Sequence, residues 1–128
     1  MLIASLLLLG IAALIHVYIF VLESVRWTAP STRRTFGTTA ETAEITRGLA
    51  FNQGFYNLFL AIILAIGIGF LAAGSLEIGA ALAFASAGSM VAAALVLILS
   101  DHTKGRAAAV QATAPLIGLI LLLVAVLV

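Results

Sequence analysis

The sequence predicts an all-α integral membrane protein, a four-helix bundle with both termini extracytoplasmic. Three observations predict it. Of 128 residues, 64% are hydrophobic and 9% charged, whereas soluble domains carry about 25% charged residues. Four apolar runs, at about residues 2–22, 51–73, 78–99 and 107–128, each approach the roughly 20 residues a helix needs to cross about 30 Å of hydrocarbon. All six basic residues fall in two connections: Arg26, Arg33, Arg34 and Arg47 between the first and second runs, Lys104 and Arg106 between the third and fourth. Positive residues mark cytoplasmic loops. Both loops are therefore expected inside and both ends outside, in a single domain spanning residues 1–128 of a multi-pass membrane protein.

The first run, MLIASLLLLGIAALIHVYIFVL, has no Lys or Arg before it and no small-residue cleavage site after it. It reads as a retained helix rather than a signal peptide. None of the runs shows the alternation of barrel strands. The one long connection, the cytoplasmic loop at about 24–48, contains Pro30 and Ser31, which read as a turn, and Gly37, which reads as another. Thr38 followed by Glu41 matches a capping box, so a helix is expected to start there and continue unbroken into the second span. Arg33 and Arg34 are placed at the lipid headgroups. The third run puts Ala81, Ala85, Gly88 and Ala92 on one stripe. Small residues let membrane helices approach closely, so this stripe is expected at a helix contact, either central to the bundle or between copies in a homo-oligomer. In the fourth run Gln111 precedes Pro115 by four residues. A proline has no N–H to donate, which leaves the Gln111 carbonyl without its helical partner.

Several functions are excluded. There is no cysteine, hence no disulfide framework and no thiol chemistry. A net charge of +1 and the absence of a basic patch with aromatics argue against nucleic acid. One deep histidine, with His102 expected in a loop, is too few for zinc. No glycine-rich phosphate loop or nucleophile elbow occurs. The sequence identifies no cofactor, and a haem on one histidine has no second signal to support it.

What remains is the polarity placed inside the membrane, where ionisable groups cost about 2.5–3.5 kcal/mol each and are functional candidates by default. His16, Phe20, Glu23 and Trp27 share one helical face at about 100° per residue. Asn52, Gln53, Tyr56 and Asn57 crowd the start of the second span, and Gln111 lies in the fourth. At 1.5 Å per residue all of them fall in the cytoplasmic half, so the expectation is a cup open to the cytoplasm and sealed outside by apolar residues. Each group also has a plainer reading. Glu23 can snorkel to the interface, His16 can bundle helices, and each amide can act as interhelical glue worth about 0.6 kcal/mol.

These residues carry a likeness. H-x6-E-x3-W from His16 to Trp27, then Phe36-Gly37, N-Q-G-x-Y-N at Asn52–Asn57 and Q-x3-P at Gln111–Pro115 resemble the bacterial membrane family catalogued as domain of unknown function number 1304. The resemblance spans nearly the whole chain. It implies a four-helix integral membrane protein and brings no established activity.

Three functions compete. In the first, His16, Glu23, Trp27, Asn52, Gln53, Tyr56, Asn57 and Gln111 bind a lipophilic small molecule such as a quinone or isoprenoid, with acid–base chemistry at His16, oriented or charge-balanced by Glu23, as an open extension. The second is a proton-coupled exporter acting as an oligomer. The third is an accessory subunit of a larger membrane complex.

Overall fold

The computed structural model describes all residues from Met1 to Val128. In hydrocarbon every backbone polar group must find an internal partner, which leaves long apolar segments only the helix. The chain obliges with α1 (Leu2–Phe20), α4 (Arg47–Ala72), α5 (Leu76–Ser100) and α6 (Gly105–Leu127). Four helical segments are long and apolar enough to cross a membrane: Leu2–Val25, Arg47–Ala72, Leu76–Ser100 and His102–Leu127. Two short helices, α2 (Pro30–Phe36) and α3 (Ala40–Ile45), fill the connection between the first two spans.

The four long helices form a ring in which each touches the next and α6 closes against α1, while α1 and α5 lie diagonally opposite. Short turns make neighbours antiparallel. Gly74, at φ +83°, ends α4, and the Ser75 and Gly74 N–H groups donate back to Phe70 and Leu71. This is the paired bonding of a Schellman cap, which satisfies carbonyls the helix itself leaves open. Asp101 and a 3₁₀ turn at His102–Lys104 link α5 to α6. The Thr103 hydroxyl and N–H both donate to Asp101, which holds its carboxyl below the usual range. Because four antiparallel spans return the chain to where it began, both termini lie at one end and both basic connections at the other.

Small residues set the helix spacing. A Cβ at Gly79 would meet the Leu71 backbone nitrogen at 2.7 Å and the Gly67 carbonyl at 2.9 Å, so α4 and α5 nearly touch backbones there. In the same half of the bundle, between α1 and α6, Leu9 sits on Gly118, and the Ser5 hydroxyl donates to the Gly118 carbonyl at 2.8 Å. The core between them is Leu9, Leu64, Leu71, Met90 and Leu122, packed with alanines.

The structure corrects three expectations. Of the two places expected for the small-residue stripe of α5, the bundle interior is excluded: Ala81, Ala85 and Ala92 are exposed, and a Cβ at Gly88 would meet nothing within 4 Å, which leaves the contact between copies as the other alternative. The buried face of α5 is instead Gly79, Ala83, Ser86, Ala87, Met90 and Ala94. Pro30 and Ser31 do not form a turn. Pro30 opens α2 as its first helical residue, where its missing N–H costs nothing and its fixed φ suits a helix. The expected unbroken helix from Thr38 is broken and starts one residue later. Thr39 is the cap, accepting from the Thr42 N–H at 3.1 Å, so Glu41 falls too early to complete a capping box. The Thr46 hydroxyl donates to the Thr42 carbonyl at 2.7 Å, the kind of back-bonding that bends helices, and α4 restarts at Arg47. Gly37 does turn the chain, ending α2 at φ +65°.

Lys104 ties the two basic connections together. Its Nζ donates to the Phe36 carbonyl at 2.6 Å, placing a cation where the C-terminal end of α2 concentrates negative potential.

Candidate functional site

The end of the first span departs from regular helix. Val21–Val25 winds as a π turn, in which the Arg26 N–H reaches back five residues to the Val21 carbonyl at 2.9 Å. Such turns occur often at functional sites. Here the turn widens the helix where it meets α4, and Gly54 makes room for it. A Cβ at Gly54 would overlap the Ser24 hydroxyl and come within 3.0 Å of its backbone nitrogen and 3.1 Å of the Glu23 Cβ. The Ser24 hydroxyl instead donates to the Phe51 carbonyl at 2.8 Å.

The turn presents Glu23 to Asn57, whose Nδ2 donates to the Glu23 Oε2 at 2.9 Å and to the Gln53 carbonyl at 3.2 Å. Asn57 therefore holds the carboxyl in place from behind. In front of Glu23 lies a cleft of about 380 Å³, whose walls include Trp27, Thr28, Arg47, Gly48 and Phe51. Trp27 is fixed on two sides. Its indole N–H donates to Thr46 at 3.1 Å, and its ring packs on Phe36 with centroids 5.0 Å apart. Arg47 makes one exposed ion pair, with Glu44 at 3.5 Å, and such pairs are worth about 0–1 kcal/mol. It remains available to a ligand.

A second, shallower groove of about 400 Å³ runs along the outward face of α4 between Phe51, Asn52, Phe55, Tyr56 and Phe59. Its aromatic rings form a ladder: Phe51 packs on Phe55 at 5.0 Å and Phe55 on Phe59 at 6.1 Å, while Phe20 meets the edge of Phe55 at 5.1 Å. Phe51 belongs to both the cleft and the groove.

The eight residues read from the sequence thus divide into separate places. Glu23 and Trp27 share the cleft, with Asn57 behind it. Asn52, Gln53 and Tyr56 are exposed and make no hydrogen bond to Glu23, and Asn52 and Tyr56 line the groove. His16 is buried at 1% exposure, and it is not among the residues that line either space. Its Nδ1 lies 2.9 Å from the Ala12 carbonyl one turn back and donates to it. Leu9 to His16 and Gly118 to Gln111 are both seven residues, so the Leu9–Gly118 contact brings His16 level with half-buried Gln111. Neither of these two spaces holds His16 and Glu23 together, as the expected cup would. Arg47, Gly48 and Thr28 were missed by the sequence reading. The one available signal for Arg47 and Gly48 was their place at the first turn of the second span.

The model of a protein family of unknown function, DUF1304, matches residues 10–123. The chain belongs to this family. No curated protein and no solved structure matches it. In this DUF1304 protein the matched region contains every element of the cleft, from the π turn to the start of α4.

His16 is buried and bonded only to its own helix. His16→Leu is expected to change stability by less than about 1.5 kcal/mol, since the swap roughly conserves volume and Ala12 keeps its helical bond. Melting of the purified variant measures this. A large loss of stability would show that the imidazole contributes more than shape.

Proposed function

We propose that this DUF1304 protein is a multi-pass membrane protein that binds an amphiphilic small molecule in the cleft beside the π turn, with Glu23 as the polar anchor. The observation that supports this most is the Glu23 carboxyl, braced by Asn57 and lining a cleft whose other walls are aromatic, hydroxylated and cationic. Ligand sites combine an apolar lining with a few convergent polar groups, and this cleft has that character. It opens at the end of the bundle that carries the basic connections. By the positive-inside rule that end is cytoplasmic, so the ligand would enter from the inner leaflet of the bacterial inner membrane. If chemistry occurs, Glu23 is the acid–base group placed to perform it, because His16 is committed to Ala12 away from the cleft. Export and an accessory role lack a comparable observation in their favour.

Gly48 offers a clean test. It lines the cleft, and a Cβ there would meet nothing within 4 Å. Gly48→Leu should therefore fill the cleft while leaving the fold intact, with helix propensity adding up to about 1 kcal/mol of stability. Native mass spectrometry of protein released in mild detergent should find a small molecule on the wild type and none on the variant. The emission of Trp27, the chain's one tryptophan, should shift between the two. Equal ligand retention by a folded Gly48→Leu protein would remove the cleft from consideration.

A further inference from the structure

The cleft and the aromatic groove meet at Phe51, and their relative placement suggests what kind of amphiphile fits both. We infer that the occupant is a phospholipid with a primary-ammonium headgroup, its head in the cleft and one acyl chain along the Phe51–Phe55–Phe59 ladder; this rests on the cleft being a binding site.

Charge placement selects the head. Glu23 Oε2 is taken by Asn57, while Oε1 accepts no hydrogen bond from the protein. An open carboxylate oxygen at a cleft wall calls for a cationic donor. The same cleft is lined by Arg47, whose guanidinium matches a phosphate in charge and geometry and whose partner Glu44 is exposed. One acidic and one basic side chain on the walls of a single cleft complement a zwitterion. A primary ammonium satisfies Oε1 by donating to it, whereas a quaternary ammonium has no N–H to give.

Direction selects the tail. From Phe51 to Phe59 the groove runs about 12 Å along α4, away from the basic connections and toward the middle of the span. That is the course of an acyl chain below its headgroup. Phe51 and Phe59 are exposed along it, and Phe55 is half-buried against Phe20. The groove thus presents flat apolar faces at the depth where the chain begins. The headgroup region and the hydrocarbon region of one lipid are matched by two adjoining spaces of different chemistry.

The test offers purified protein in a nonionic detergent an equimolar mixture of phosphatidylethanolamine, phosphatidylcholine and phosphatidylglycerol. Bound lipid is read by native mass spectrometry and occupancy by Trp27 emission. The expected result is a preference for phosphatidylethanolamine of roughly tenfold over phosphatidylcholine, as one charge-assisted hydrogen bond would give, with phosphatidylglycerol also disfavoured. Glu23→Gln, which keeps an acceptor for Asn57, should erase the preference. Equal retention of all three lipids by the wild type, or a preference for phosphatidylglycerol, overturns the headgroup assignment while the cleft still binds amphiphiles. No lipid adduct and no change in Trp27 emission would overturn the cleft reading itself.

Discussion

Gly79→Val is expected to cost about 3 kcal/mol of stability, the upper end of what overpacking usually exacts. The cost is high because two of the atoms in the way, the Leu71 nitrogen and the Gly67 carbonyl, are backbone. Flexible side chains can swing aside, but two helices meeting at glycine must separate along their length. In a bilayer, where apolar surface alone does not drive helices together, close approach and the packing it allows supply much of the association. The measurement is thermal or denaturant-induced unfolding in detergent or nanodiscs. An unchanged midpoint would mean that α4 and α5 do not touch at Gly67 and Gly79.

Gly54→Val should cost a similar amount and do something Gly79→Val should not. The new side chain would occupy the space of the Ser24 hydroxyl and press on the backbone of the π turn, breaking the bond from Ser24 to the Phe51 carbonyl. Glu23 would then leave Asn57, and the cleft would lose its anchored carboxyl. Well below its melting temperature the Gly54 variant should therefore show altered Trp27 emission and lose bound ligand. Gly79→Val, equally destabilised but remote from the cleft, should keep both. If the two variants behave alike, the effect of Gly54 is general loosening and its seating of the π turn has no separate consequence.

The comparison of sequence with structure has a physical pattern. The four spans were legible because an apolar run in a membrane has one backbone solution, and Gly37 was legible because its turn needs positive φ. The place of His16 outside the cleft that Glu23 lines was not. Counting 100° per residue puts them on one face only if the helix stays regular, and nothing in Val-Leu-Glu-Ser-Val announces a π turn. The amides of α4 misled for a simpler reason. Gln53 and Asn57 follow one another on one face and Asn52 and Tyr56 on another, so four neighbouring polar positions could never all point at Glu23. Asn57 alone reaches it. In α5, alanines and glycines lie on nearly every face, so a small-residue stripe can be drawn in several directions. Only the neighbouring helices decide which one is buried. The break at Thr46 does not follow from its back-bond to Thr42 alone, because Thr113 makes the same bond to Ala109 inside the unbroken α6.

The π turn also changes what the loss of one residue would do. Inside a regular membrane helix a single deletion rotates everything beyond it by about 100° and ruins the packing on both sides. The turn at Val21–Val25 already holds one residue more than an α-helix would use over the same hydrogen bonds. Removing one residue there would let the segment close into ordinary α-helix, with Leu9, Ala12 and His16 staying where they are. The damage would be confined to the turn itself: the segment beyond it, Trp27 included, would keep its register, while the carboxyl that the widened turn presents to Asn57 would be turned away. The bundle is thus buffered against a deletion at the one place where the cleft is most sensitive to it, so such a protein would still insert and fold but would no longer hold its ligand.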